Sequence, residues 1–292
     1  MDSEPRAFAS RLHSRELLVL DGATGTELER RGVATQLPLW SAAAIESHPE
    51  VLAEIHADYA ARGVDALTAN TFRTQRRTLA RSGRADVAGA WTTAAVAIAR
   101  RAAGHRLAVL GSCPTLEDCY RPDRVPEADA LATEHAEHTG HLARAGVDGI
   151  LVETMNTQRE AVAATRAAIA HGLPVITTFV CWEGPTLLSG EPLADALRAA
   201  ADVGADVVGV NCLPASNALR CLDTLAASDL PFAVYANLGE PEDEQGFRRS
   251  EALSPDAFAQ HAHRWCEAGA RIVGGCCGTE PAHLEAVVSR LR

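Results

Sequence analysis

Eight short β-rich runs alternate with amphipathic helical segments along 292 residues, and this alternation predicts a parallel (β/α)8 TIM barrel in a single domain. The length agrees, because such barrels take about 250 residues, whereas the rival doubly wound sheet more often uses five or six strands. A third observation is a recurring joint between helix and strand: Arg62-Gly63-Val64-Asp65, Ala145-Gly146-Val147-Asp148, Val203-Gly204-Ala205-Asp206 and Ala268-Gly269-Ala270-Arg271. Glycine suits the left-handed position that ends a helix, so each joint stops one helix and launches the next strand.

The strand runs fall at 17–21, 65–70, 107–112, 149–153, 174–180, 206–212, 232–237 and 271–276. Between them, segments such as 49–61, 127–145 and 255–268 carry apolar residues at spacings of three and four, the helical signature. Two longer loops, 30–41 after strand 1 and 117–126 after strand 3, interrupt the rhythm, and an acidic, turn-rich stretch at 241–247 follows strand 7. All three fall at the C-terminal mouth, where barrels keep their active sites. No low-complexity linker or solenoid repeat is present, so one domain spanning 1–292 is expected.

Composition narrows the partners. With 27 basic against 38 acidic residues, a net charge of -11 and no basic block, the electrostatic footprint of nucleic-acid binding is missing, and small molecules are the expected partners. The polar, acidic start Met1-Asp2-Ser3-Glu4-Pro5-Arg6 has no apolar core of a leader, and no run reaches the roughly 18 apolar residues of a spanning helix. The expectation is a cytoplasmic protein with no membrane partner, a monomer or small homo-oligomer. Eight cysteines in so long a chain are then expected to be reduced, metal-binding or catalytic rather than paired.

The chemistry concentrates near the end of the chain, in Gly274-Gly275-Cys276-Cys277-Gly278-Thr279. Two adjacent cysteines among glycines, following the apolar run Ile272-Val273, put two soft sulfur ligands where a strand opens into a loop. Taken alone the pair reads equally well as small buried hydrophobes or as metal ligands. A third cysteine, Cys212, ends the run 207–212. On a barrel Cys212 ends strand 6 while Cys276 and Cys277 end strand 8. Strands about 4.8 Å apart place those ends about 10 Å from each other, a gap that inward-leaning side chains can close onto one zinc ion.

Further segments carry a resemblance over nearly the whole length: residues 21–28 (Asp21-Gly22-Ala23-Thr24-Gly25-Thr26-Glu27-Leu28), Leu39-Trp40-Ser41-Ala42, Thr68-Ala69-Asn70-Thr71-Phe72, Glu153-Thr154, Gly209-Val210-Asn211-Cys212 and the cysteine pair with its glycines. With these the chain resembles the homocysteine S-methyltransferases, zinc-dependent thiol methylases on a (β/α)8 barrel. The resemblance implies that Cys212, Cys276 and Cys277 hold Zn2+, with the homocysteine sulfur as fourth ligand. A free thiol has a pKa near ~8.5, and coordination to zinc deprotonates it, so the metal makes the nucleophile at neutral pH. Methyl transfer from a sulfonium donor, S-methylmethionine or S-adenosylmethionine, would give methionine. The alternatives are another donor such as betaine, another thiol acceptor, or a non-catalytic zinc-binding barrel.

The resemblance also implies substrate residues. Asp21 and Glu153, at the ends of strands 1 and 4, match the residues that bind the homocysteine ammonium. The turn 22–26, with Gly22 and Thr26, offers backbone N–H groups to the substrate carboxylate. Asn211 and Asn237 are expected to line the same mouth. Trp40 reads either as packing or as a donor-site wall, where a cation–π contact to a sulfonium is worth ~0.5 to 2 kcal/mol.

Two segments depart from the family pattern. Gly111-Ser112-Cys113-Pro114-Thr115 stands where many members that use S-methylmethionine carry Gly-Pro-Tyr-Gly, and Thr154-Met155-Asn156-Thr157 stands where a Pro-Asn pair is common. Neither touches the metal, and both fall where donor and substrate tail should sit.

Other signals are set aside. His135, His138 and His141, among Glu134, Glu137 and Arg144, read as a solvated helix face, as do His261 and His263. Cys113 and Cys119 flank the strand 3 loop without a basic neighbour that would activate them. No P-loop or G-x-G-x-x-G follows a strand, so nucleotide and dinucleotide cofactors lack support. No appended cobalamin or folate segment is read in the chain, which argues against a corrinoid-dependent methionine synthase.

Overall fold

The structure, a computed structural model, describes residues 4–14, 16–242, 246–248 and 253–292. Eight parallel strands are present: β1 (Leu18–Val19), β2 (Ala66–Ala69), β3 (Ala108–Cys113), β4 (Gly149–Met155), β5 (Val175–Phe179), β6 (Val207–Pro214), β7 (Phe232–Asn237) and β8 (Ile272–Gly275). Each pairs with its neighbour in sequence, and β8 pairs with β1. A parallel bridge between Leu20 and Ala66 joins β1 to β2 and closes the (β/α)8 barrel. The helices Pro49–Ala61, Ala128–Ala145 and Pro255–Glu267 lie where the apolar spacing placed them.

Side chains alternate along the strands and so build two apolar layers. Leu18, Leu20, Leu110, Leu151, Ile176 and Ile272 fill the barrel interior. Val19, Leu67, Val109, Val152, Val208 and Val273 point outward and pack under the helices.

The repeated joints between helix and strand have a second function that their sequences did not advertise. Asp65 Oδ2 accepts from the Val19 N–H at 2.8 Å, Asp148 Oδ2 from the Val109 N–H at 2.7 Å, and Asp206 Oδ2 from the Val175 N–H at 2.8 Å. Each carboxylate thus ties the start of one strand to the strand before it, at the face opposite the mouth.

Two features lie beyond what the sequence predicts. A helix at Glu4–His13 precedes β1, and its Phe8 and Leu12 join the interior cluster, sealing the lower end of the barrel. Arg11 Nη2 then reaches Asp65 Oδ1 at 2.6 Å, and Arg292, the last residue, contacts the same carboxylate. Of the stretch 241–247, residues 243–245 lie outside the described residues, and its flanks form an antiparallel hairpin, Glu240–Glu242 with Gly246–Arg248. Among the described residues no helix is long and apolar enough to cross a membrane.

Candidate active site

At the C-terminal mouth a cavity of about 490 Å³ opens between the ends of the strands. Asp21, Gly22, Trp40, Glu153, Cys212, Cys276 and Cys277 all line it. The three sulfurs come within 4.8 Å of one another, with Cys276 Sγ 3.5 Å from Cys212 Sγ.

Local backbone devices aim these side chains. The β6–β7 register shifts between Asn211 and Pro214, and there Cys212 takes a φ of 58°. The β4–β5 register shifts between Val152 and Met155, and there Thr154 takes a φ of 59°. Trp40 has a φ of 45°. These are the three non-glycine residues with positive φ among the described residues, and all three line the cavity. Bulges and left-handed residues of this kind re-aim side chains at a cost the surroundings must offset. Gly275 is required beside them, because a Cβ there would overlap the Thr279 side chain, whose hydroxyl donates to the Cys276 carbonyl at 2.7 Å.

The sulfur cluster fits a zinc ion. Bonds of about 2.3 Å in a tetrahedral arrangement leave two sulfurs roughly 3.8 Å apart, close to the spacing found here, and three thiolates leave the fourth position open. Cys212 is pushed well below the usual thiol value because Cys276 and Cys277 donate to its sulfur. The Tyr120 hydroxyl adds a contact at 3.2 Å, and the ring packs on Trp182 with centroids 5.2 Å apart. Stabilising one buried thiolate readies the cluster for a cation.

Across the cavity stand two carboxylates. Asp21 accepts from the Thr68 N–H at 2.8 Å, and burial, only partly offset by that bond, pushes its carboxyl up to about 7. Glu153 accepts from Ser112 and from the Tyr235 hydroxyl at 3.1 Å, and burial again pushes it up to about 7, with the negative charge of Cys212 adding to the shift. Two desolvated carboxylates near each other are stabilised in their charged form by a cation.

Three residues expected at the mouth stand behind its wall. Asn211 is buried and braces β4 instead: its Oδ1 accepts from the Thr154 N–H at 2.9 Å and from Thr178 at 2.8 Å, while its Nδ2 donates to Thr154 Oγ1 at 2.8 Å. Thr26 accepts from the Gly278 N–H at 2.9 Å, which latches the first loop to the cysteine loop. Asn237 is fully buried beside Cys212, and neither atom of its amide has a hydrogen-bond partner.

One expectation is corrected outright. His135 and His138 are buried, not solvated. His135 Nε2 lies 3.3 Å from Glu160 and its Nδ1 lies 3.6 Å from Cys113 Sγ, while His138 Nε2 meets the Ser112 carbonyl at 3.0 Å. Their positions continue the apolar stripe of Leu131 and Leu142, a spacing outweighed in the reading by the flanking charges.

Comparison with known proteins decides the family. The model of the family "Homocysteine S-methyltransferase" matches residues 18–291. The chain belongs to the homocysteine S-methyltransferase family. The homocysteine S-methyltransferase of Escherichia coli (strain K12) is 29% identical over 310 residues, covering 99% of each chain, and that of Bacillus subtilis (strain 168), YbgG, is 28% identical over 307 residues, covering 96% of each. The crystal structure of the homocysteine methyltransferase MmuM from Escherichia coli in its metallated form superposes with a TM-score of 0.83 at 29% identity, covering 99% of this chain and 100% of that one. Tyr120 and Tyr235 also line the cavity, and sequence reasoning missed both. Tyr235 was reachable, because it shares the inward face of β7 with Ala233, whereas Tyr120 arrives on an irregular loop that has no periodicity to read.

Proposed function

We propose that this homocysteine S-methyltransferase family member moves a methyl group from a sulfonium donor to homocysteine, at a zinc ion held by Cys212, Cys276 and Cys277. The observation that carries the reading is the convergence of three sulfurs within 4.8 Å in a cavity that also holds two buried carboxylates. When bound, zinc supplies the Lewis acid that keeps a substrate thiol deprotonated at neutral pH.

The chain's own residues do the rest. Asp21 and Glu153 receive the homocysteine ammonium, whose charge restores the favourable ionised state that burial denies them. Ser112, Tyr235 and Asn211 fix the Glu153 carboxylate, so the amino group is held at one place relative to the sulfurs. Trp40, packed on Gly25 and edge-on to Phe72 at 6.3 Å, gives the donor an aromatic wall suited to a sulfonium. The whole chain, 1–292, acts in this reading as one homocysteine-binding barrel, and its eight free cysteines suit the reducing cytoplasm.

Purified protein loaded with zinc and homocysteine should yield methionine with S-methylmethionine or S-adenosylmethionine, read by mass spectrometry against a panel that includes betaine. Absence of any methylated thiol across the panel would sink the proposal.

A further inference from the structure

Among the described residues that line the cavity, Arg73 is the one cation. Its neighbours on the chain are all committed elsewhere: Arg76 to Glu137, Arg77 to Glu134 and Glu117, and Arg81 to Glu117. Arg73 differs. Its Nε is buried and has no hydrogen-bond partner, and its guanidinium lies over the Phe72 ring, 5.4 Å from the centroid. Arg73 forms no ion pair with Asp21 or Glu153, although all three face the same space. A buried guanidinium N–H left unpaired is costly, and such a group is retained where a ligand completes it.

The chemistry of the missing partner follows from the donor geometry. A guanidinium presents a planar fork that matches a carboxylate with two parallel hydrogen bonds, and stacking on an aromatic ring fixes the plane of that fork. Phe72 links Arg73 to Trp40, so the fork stands on the aromatic wall and not with the two carboxylates that suit an ammonium.

We propose that Arg73 is a specificity-determining residue that binds the carboxylate of the methyl donor, so that this enzyme selects a donor carrying an amino-acid carboxylate over a simple sulfonium. The inference rests on the methyl-transfer reading above. The same carboxylate chemistry is present on homocysteine, and the experiment separates the two sources.

Wild-type, Arg73→Met and Arg73→Lys enzymes would be assayed with S-methylmethionine and with its decarboxylated counterpart, 3-aminopropyl dimethylsulfonium. Homocysteine and 3-aminopropanethiol would serve as acceptors. Arg73→Met should lower kcat/KM for S-methylmethionine by about tenfold to a hundredfold, mostly through KM, the loss expected for a charge-assisted pair. The decarboxylated donor should be slow with wild type and indifferent to the substitution, and the homocysteine KM should hold. Lysine should restore part of the loss. Equal losses for both donors would assign Arg73 a structural role, and a shift confined to homocysteine would assign its carboxylate to the acceptor; either overturns the inference while leaving methyl transfer standing. Wild-type enzyme that methylates no thiol from either donor, or from S-adenosylmethionine run alongside, would instead remove the methyl-transfer reading and the inference with it. Direct titration of S-methylmethionine into the wild type and Arg73→Met proteins gives the same comparison without turnover, and unchanged affinity there also overturns the assignment.

Discussion

Cys212 Sγ and Cys276 Sγ lie 3.5 Å apart although 64 residues separate them in sequence, because β7 alone stands between their strands. Two thiols so placed are poised for oxidation. Hydrogen peroxide is expected to take two electrons from the pair, forming one disulfide as it is reduced to water, and to release bound zinc. Mass mapping after oxidation checks this: a bridge from Cys212 to Cys276 or Cys277 is the expected product, and bridges confined to Cys113, Cys181 or Cys266 would contradict it.

Cys276→Ala removes one of three sulfurs at the mouth, where Cys276 is only partly buried against the upper end of the barrel interior. Zinc content should fall from near one per chain to near none, and activity with it. The unfolding temperature of the metal-free protein should move by less than about 4 °C. Retained stoichiometric zinc would show that the cluster is not the metal site.

Glu153→Gln keeps the shape of the side chain but removes its charge. The homocysteine KM should rise about tenfold to a hundredfold, as for loss of a hydrogen bond to a charged group, with zinc content unchanged. An alkyl thiol without an amino group should be nearly indifferent to the change, and matching losses for both thiols would mean that Glu153 supports structure instead.

How much of this was legible in the sequence depends on how local each cause is. The eight strands and the cysteine cluster were legible because strand order in a barrel follows chain order, so placing Cys212 and Cys276 on strands 6 and 8 already set their separation. The bulge that turns Cys212 to a φ of 58° was not legible, since Cys212 itself is not a glycine and Pro214, where the shift ends, reads equally as the end of an ordinary strand. Asn211 shows the same limit: its rank at a strand end was visible, but its turn away from the cavity toward Thr154 depends on that bulge and on Thr178 from β5. His135 and His138 were misread because their partners, Glu160 and the Ser112 carbonyl, come from other elements.

The buried histidines should each draw stability down in acid, against the opposite pull of Asp21 and Glu153, whose raised values favour the folded state as pH falls below about 7. His56 is buried, neither ring nitrogen has a partner, and burial lowers it from the ordinary 6.5 to about 4; His138 is lowered to about 4 as well, again chiefly by burial. Both are neutral when folded, whereas the unfolded chain takes up protons below the ordinary value. The histidine contribution is therefore fully present above pH about 6.5 and is lost as pH falls through about 4, by about 3 kcal/mol for each histidine. Chemical denaturation across that window, compared with His56→Leu, checks the sign: relative to the wild type, the variant should gain about 3 kcal/mol as pH falls from about 6.5 to about 4.

Gly275→Ala should weaken the metal site without touching a ligand. The added methyl displaces Thr279, whose hydroxyl also accepts from the Ala23 N–H at 3.2 Å, and overpacking of this kind costs about 1 to 3 kcal/mol. Competition with a zinc chelator should show weaker retention in the variant, and unaltered retention would mean that the Cys276 loop is positioned independently of Thr279.

Asp65 holds Arg11 from the first helix and Arg292 from the last residue on its two oxygens, on the side of the barrel away from the cavity. One carboxylate thereby brackets the first helix and Arg292 together, and the point at which the chain is opened on this side matters little to the mouth. A permuted chain, in which a linker joins Arg292 to the first helix and new termini open at the exposed turn 104–106 on the same lower side, should present the same constellation of cysteines and carboxylates. Order along the gene and order around the barrel are, in this molecule, separable properties.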